Sequence, residues 1–240
     1  MKKMILLVAF LSSGLYMAAQ NATFNDENVE KRSVKPFRSI KVGDGIDLHL
    51  SQGNEESVAI SASRDEYRSR LKTEVEDGVL KIFYDRESLN DWTSGGKKLK
   101  AYVSFKTLDK LTAAAGADVH IQGVIKEDVL SIYLNSGASV RGKIEAGKLI
   151  LEAEIGANAC ISGAAGVLNV NANSGAKVAA YDLAAGKADL RSTTGAKIKA
   201  TVKDELKVDA STGGNIHYKG DAKISDVNTR LGGGVKKINS

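Results

Sequence analysis

The side chains that could do chemistry are few, and their spacing decides what they can do. Three histidines are present, His49, His120 and His217. His120 and His217 each stand four residues after a glycine, Gly116 and Gly213, that belongs to a short recurring phrase. If each phrase opens one rung of a strand ladder, the two share a column five rungs apart, about 24 Å at about 4.8 Å per rung. A zinc–nitrogen bond is about 2 Å long, so one metal cannot join them. His49 lies well before the first phrase and has no partner in the sequence. All three are expected as surface histidines.

Carboxylates give no clearer answer. Glycoside hydrolysis needs two carboxyl groups about 5–10 Å apart. Four residues before their glycines stand Glu152 and Asp209, three rungs apart, or about 14 Å. Neighbouring columns add Glu154, Asp189 and Asp226, which leaves a closer pair open. Scattered acids are also the ordinary content of a strand's solvent side, and no catalytic residue is assigned. The lone Cys160 cannot form an internal disulfide. Strict alternation points it outward, but a free thiol is odd in an oxidising compartment, and a partly buried small hydrophobe is expected. "GGGVKK" lacks the aspartate of a calcium-binding β-roll. No P-loop, nucleophile elbow or HExxH occurs, so neither a cofactor nor a metal ligand is assigned. One polar set remains. Asn169, Asn171 and Asn173 in one unit, with Arg191, Asp209 and Ser211 in later units, would form a flat mixed face. Its amides and hydroxyls suit a sugar chain; a plain solvated strand exterior accounts for the same residues.

The elements that would hold these residues come from the phrase itself. "AAGADV", "NSGASV", "EIGANA", "NSGAKV", "TTGAKI", "STGGNI" and "RLGGGV" place glycines at 116, 137, 156, 175, 195, 213 and 232, a period near 19 over seven copies. Five residues before each glycine stand Leu111, Ile132, Leu151, Val170, Leu190, Val208 and Val227. Three residues after it stand Val119, Val140, Ala159, Val178, Ile198, Ile216 and Val235, with polar residues between the columns. This is period-two alternation, so each unit holds strands. The glycine supplies a left-handed corner, and the alanine that usually follows keeps the corner slim. One unit cannot bury its apolar column alone, whereas stacked units can. The expected fold is all-β, a parallel β-helix of about seven coils of roughly 19 residues. A hexapeptide solenoid is not expected, since no six-residue pattern interleaves.

Composition agrees. Five per cent aromatics and a single proline exclude a core built on large rings and favour stacked aliphatic columns. Lys2 and Lys3, then "MILLVAFL", then small residues ending "MAAQ" read as a signal peptide over 1–20, with a short leader over 21–33. No cysteine lies near its end, so no lipid anchor is expected. Removing the signal lowers the net charge from +5 to +3, and Lys and Arg alternate with Asp and Glu along the chain, the pattern of a solvated surface and not of a nucleic-acid footprint. No later stretch is apolar enough to cross a membrane as a helix.

Residues 34–107 are β-rich without the phrase. "IDLHLSQGNEESVAIS" alternates around a turn at Gln52 to Asn54, "LKTEVEDGVLKIFY" reads as two strands around the Asp77-Gly78 turn, and "KLKAYVSF" as another strand. Ser88 to Lys98, with Trp92, is expected as a loop. These strands are expected to cap or continue the rod formed by 108–240, making one domain over 34–240.

"FRSIKVGDGIDLHLSQG", "EVEDGVLKI", "KAYVSFKTLDKLTAAAGADV", the stacked "SGA" phrases and the closing "GGGVKKI" together resemble the head GIN domain family of exported proteins of Bacteroidetes-type bacteria, over roughly 34–240. The family's Gly-Ile-Asn falls on Gly45, Ile46 and Asp47, an Asp replacing the Asn. The resemblance implies a right-handed β-helix and the label of an autotransporter adhesin. It carries over no catalytic or ligand residue. The expected function is a non-enzymatic binding or adhesion module of the bacterial cell envelope. It would be exported to the periplasm, outer membrane surface or medium, with a glycan or an envelope or host surface protein as partner. A carbohydrate-active β-helix enzyme and a structural component that contacts a protein partner stay open.

Overall fold

A computed structural model describes residues 29–86 and 96–239. The signal peptide and most of the leader lie outside the described residues, as does most of the expected loop with Trp92. The fold is a parallel β-solenoid of about seven turns spaced about 19 residues apart. Its body runs through β9 (Asp118–Leu134), β10 (Ser139–Ala153), β11 (Asn158–Ala172), β12 (Lys177–Ser192) and β13 (Lys197–Ser211), each parallel to the next. The solenoid closes with β14 (Asn215–Lys219), β15 (Lys223–Arg230) and β16 (Gly234–Lys237). Each coil has an entering face that runs into the corner and a leaving face that starts after it. Bends between them carry glycines such as Gly142 and Gly163, at φ 147° and 113°.

The corner is a two-residue turn in which both central residues are left-handed. Before the glycine, Ala115, Ser136, Ile155, Ser174, Thr194, Thr212 and Leu231 all lie at φ of 48° to 50°, and the glycines follow at 72° to 75°. The glycine therefore shares the left-handed role with the residue before it, the pattern of a type I′ turn. The N–H of Ala157 closes one such turn on the Glu154 carbonyl at 3.1 Å. Corners then bond to one another. Gly116 N–H donates to Ser136 O, Gly137 to Ile155 O, Gly156 to Ser174 O, Gly175 to Thr194 O and Gly195 to Thr212 O, each at 3.0 Å.

The inward columns are those expected. Leu111, Ile132, Leu151, Val170, Leu190 and Val208 are buried, and so are Val119, Val140, Ala159, Val178, Ile198 and Ile216. Each Val, Leu or Ile side chain so buried contributes about 1.5–3 kcal/mol. Ala117, Ala138, Ala157, Ala176 and Ala196, just after the corner glycines, are fully buried. At Gly214 a Cβ would meet Ser192 O at 2.1 Å, so this last full corner requires glycine. Buried Ser192 donates its hydroxyl to Ala196 O at 2.9 Å, which satisfies a polar residue in an otherwise apolar column.

Upstream, β1 (Glu30–Arg32), β2 (Ser39–Val42), β3 (Asp47–Gln52), β4 (Ser57–Ser61), α1 (Asp65–Arg70), β5 (Leu71–Glu76), β6 (Val79–Tyr84), β7 (Lys100–Phe105) and β8 (Lys110–Ala113) both continue and cap the rod. β2 and β3 form a coil whose corner, Asp44-Gly45, stacks on Ala115-Gly116 through Gly45 N–H to Ala115 O at 3.0 Å. Ile46 N–H closes that corner on Gly43 O at 3.2 Å, so the Gly-Ile-Asp stretch is a further copy of the corner. β6 and β7 lie parallel on the far side of this coil. Antiparallel strands finish this end: β5 on β6, β4 on β7 and β1 on β4. They leave the parallel ladder no open edge there. The turn at Gln52–Asn54 makes no hairpin, because β7 lies between β3 and β4. The six-residue α1 is absent from the sequence reading, which took this region as strands. The C-terminal end differs: β15 and β16 form the last rung, Val227 is 51% exposed and Leu231 82%.

Candidate functional site

The entering face gathers the polar set named from the sequence. Asn169 is in register with Asp189, which is in register with Lys207. Asn171 is in register with Arg191 and Arg191 with Asp209, so these residues lie on successive rungs. Ser211 pairs in register with Arg230 one rung further. Glu152 is three rungs from Asp209 in the same column, with Asn171 and Arg191 between them. That separation is far from the spacing of a hydrolytic pair.

The members of this set differ in what remains free. Asp209 is held between two guanidinium groups, Arg191 at 3.4 Å and Arg230 at 3.5 Å, and its side chain is only 14% exposed. One of its oxygens, Oδ1, is buried without a hydrogen-bond partner. Asn173 Oδ1 accepts the Ser174 N–H at 2.7 Å and the Thr193 hydroxyl at 3.0 Å, so this amide braces the corner. Among the described residues, the Asn169 and Asn171 amides have no side-chain hydrogen bond. Asn171 is exposed and Asn169 half-buried.

A second cluster lies on the leaving face and corrects an expectation. The corner at Asp44-Gly45 puts His49 in register with His120, so His49 does have a partner. The two rings stack with centroids 5.3 Å apart, and Tyr102 stacks on the other side of His49 at 4.9 Å. Gln122 Nε2 lies 3.3 Å from His49 Nδ1. His120 Nε2 lies 3.2 Å from Asp118, whose carboxylate also accepts from Arg141 at 2.7 Å and from the Ser139 hydroxyl. Burial, and then the positive charge of His120, push the His49 pKa down. Burial would raise the Asp118 pKa, but the bonds from Ser139 and Arg141 outweigh it and the net shift is downward. Among the described residues no group of three or more His, Cys, Asp or Glu could hold a metal ion.

His217 falls in the same outward column as His120, five rungs on. Cys160 is exposed in that column, one rung from Arg141. The alternation is kept there and the expected partial burial is not, because the side chain is on the solvent side of its strand. Among the described residues no helix is long and apolar enough to cross a membrane.

The fold is that of a parallel β-solenoid with polar outward ladders, and comparison with known proteins gives its family. Residues 36–222 match the family described as "Putative auto-transporter adhesin, head GIN domain", and the chain belongs to that family. Its fold is similar to the crystal structure of a "putative adhesin" from Bacteroides fragilis, with 21% identity and a TM-score of 0.77, covering 88% of this chain and 96% of that one. It is also similar to a "putative adhesin" from Parabacteroides distasonis, with 20% identity, a TM-score of 0.70 and coverage of 88% and 96%. A "putative lipid binding protein" from the same species shares the fold at 19% identity and a TM-score of 0.59, covering 88% and 97%. No curated protein matches the sequence.

Proposed function

We propose that this protein is an exported, non-enzymatic binding module of the bacterial cell envelope, and that it holds a glycan chain along its entering face. The observation that carries this reading is the register of that face. The Asn169 and Asn171 amides stand beside Asp189 and Arg191 on the next rung, and Lys207 and Asp209 on the rung after. Donors and acceptors therefore recur at about 4.8 Å along a flat strand surface. An extended polymer can meet such a surface rung by rung, with Asn169 and Asn171 as the uncommitted groups. Arg191 and Asp209 neutralise each other and fix the charge pattern, while Ser211 borders the face. The family description and the adhesin names of the similar structures support a binding role over catalysis.

A glycan array with residues 21–240 tests the reading. Binding to a neutral glycan that the Asn169→Ala/Asn171→Ala variant loses supports it. Asn173 is left intact because it braces the corner. Absence of binding across the array, or equal binding by the variant, would overturn it.

A further inference from the structure

Many charges on this solenoid sit in ion pairs, whereas one strip gathers lysines that do not. On the entering face and the bends, cations sit beside acids: Lys187 with Glu205 at 3.1 Å, Lys207 with Asp226 at 3.6 Å, Arg191 and Arg230 with Asp209, and Lys126 and Lys143 with Glu145. The leaving face does the same in its first coils, where Asp118 answers Arg141. Further along, it does not. Lys177 is in register with Lys197, and Lys199 with His217, which is in register with Lys236. Lys219 is in register with Thr201 beside them. Among the described residues none of these five lysines has an ion-pair partner. The acids of the same coils fall elsewhere: Asp182 at a register break, Asp204 in the bend towards the entering face, and Asp221 beyond the strand, where it pairs with Lys237.

Four successive coils thus present an uncompensated basic strip about 14 Å long on a flat sheet. One ring is set into it. Tyr181 has the Lys219 ammonium 4.9 Å from its centroid on one rung and the Lys199 ammonium at 5.7 Å on another. The His217 pKa is pushed down by burial and then by Lys197, Lys236 and Lys199, as a field of one sign requires.

The geometry points to a second binding site, formed by Lys177, Lys197, Lys199, Lys219 and Lys236 around Tyr181, that holds a linear acidic polysaccharide along the rod. The inference rests on the exported binding module proposed above and assigns a different face and a charged ligand class. Regular rungs favour a ligand with regularly spaced anions, and a tyrosine beside two lysines adds a surface for a sugar ring that charge alone lacks. A membrane surface is disfavoured. Among the described residues the exposed large apolar side chains, Val129, Ile155, Ile224, Val227 and Leu231, all lie off this strip and give it no apolar group to enter the acyl region.

The test uses residues 21–240 with polygalacturonate as the probe, against neutral dextran, inorganic polyphosphate, duplex DNA and phosphatidylglycerol vesicles. Polygalacturonate should bind, and dextran should not bind at the strip. Binding should weaken steeply as ionic strength rises from about 0.1 M to about 1 M, where the screening length drops from about 10 Å to about 3 Å. Lys199→Glu/Lys219→Glu should lose about tenfold or more, at about 1 kcal/mol for each lysine removed from an anionic surface. Lys187→Glu/Lys207→Glu, the same charge change on the entering face, should leave binding nearly unchanged. Tyr181→Ala should weaken polygalacturonate roughly threefold without altering polyphosphate binding. Equal losses in the two lysine pairs, no effect of Tyr181→Ala, or binding to DNA or vesicles as tight as to polygalacturonate would overturn the site. Capture of a neutral glycan that depends on Asn169 and Asn171, without polygalacturonate binding, would overturn this inference alone. Silence towards every glycan would remove the parent reading as well.

Discussion

The imidazole rings of His49 and His120 stack 5.3 Å apart on adjacent rungs, each belonging to a coil that the sequence separates widely. Two basic rings this close cannot both be protonated without repulsion. Burial first, and this repulsion after it, lower the His49 pKa, so its folded value lies below its unfolded value of about 6.5. The unfolded chain then binds more protons than the native one, and stability rises with pH through this window. The contribution is complete above about pH 6.5 and is lost as pH falls through the folded pKa. The unfolding midpoint should hold between about pH 8 and 7 and fall towards about pH 5, above the range where carboxylates such as Asp118 titrate. His49→Gln should reduce that fall in thermal melts, whereas an unchanged fall would assign it to other groups, His217 first.

Ile155 adopts φ 48° in a corner position where a β-branched residue is poorly suited. Its side chain is 57% exposed, so replacing it sacrifices little burial. Ile155→Asn should stabilise the protein by about 1 kcal/mol, read as a rise in melting temperature. The same change at Ser136, already small and polar, should have a smaller effect.

Glycines in the bends and glycines in the corners are needed for different reasons. At Gly156 a Cβ meets nothing within 4 Å, and alanine there incurs only the strain of φ 72°, about 1–2 kcal/mol. At Gly163 a Cβ would stand 2.1 Å from Ile144 O, a backbone atom of the coil before. Gly163→Ala should therefore cost more than Gly156→Ala by a further 1–3 kcal/mol or so, from overpacking. Chemical denaturation of the two variants ranks them directly.

Leu151 and Val227 occupy the same column, yet the first is 1% exposed and the second 51%. Leu151→Ala should cost about 2–5 kcal/mol. Val227→Ala should cost under about 1 kcal/mol, because half of that surface already faces water. Equal losses in urea unfolding would mean that the last rung is covered in solution.

The apolar columns and the corner glycines were legible because each repeats at one spacing, and burial follows spacing. The corner at Asp44-Gly45 was not, because the residues of β4 to β7 intervene before its neighbour at Ala115-Gly116, which removes the period from view. His49 lost its partner for the same reason. Its signal was nevertheless present, since His49 stands four residues after Gly45 as His120 does after Gly116. Cys160 was legible in direction, and its exposure follows from alternation alone. The basic strip was hidden differently. Along the chain Lys177, Asp182, Lys187 and Asp189 alternate in sign, but strand parity and the bends send Lys177 to one face and Lys187 and Asp189 to another. A net charge is a sum over all faces, and only the column positions show how it is sorted.

The hydrogen bonds between corners make every coil an interchangeable part. Each glycine N–H is satisfied by the corner that follows, whichever copy that is, so Gly137 would find in Ser174 O the same acceptor that Ile155 O now provides. Loss of the segment 155–173 as a block would leave a shorter rod with Gly137 N–H answered by Ser174 O. Loss of half a coil would turn outward columns inward and break the ladder. The length of this protein is thereby quantised: it can be lengthened or shortened by whole coils, and the reach of the rod is counted in turns.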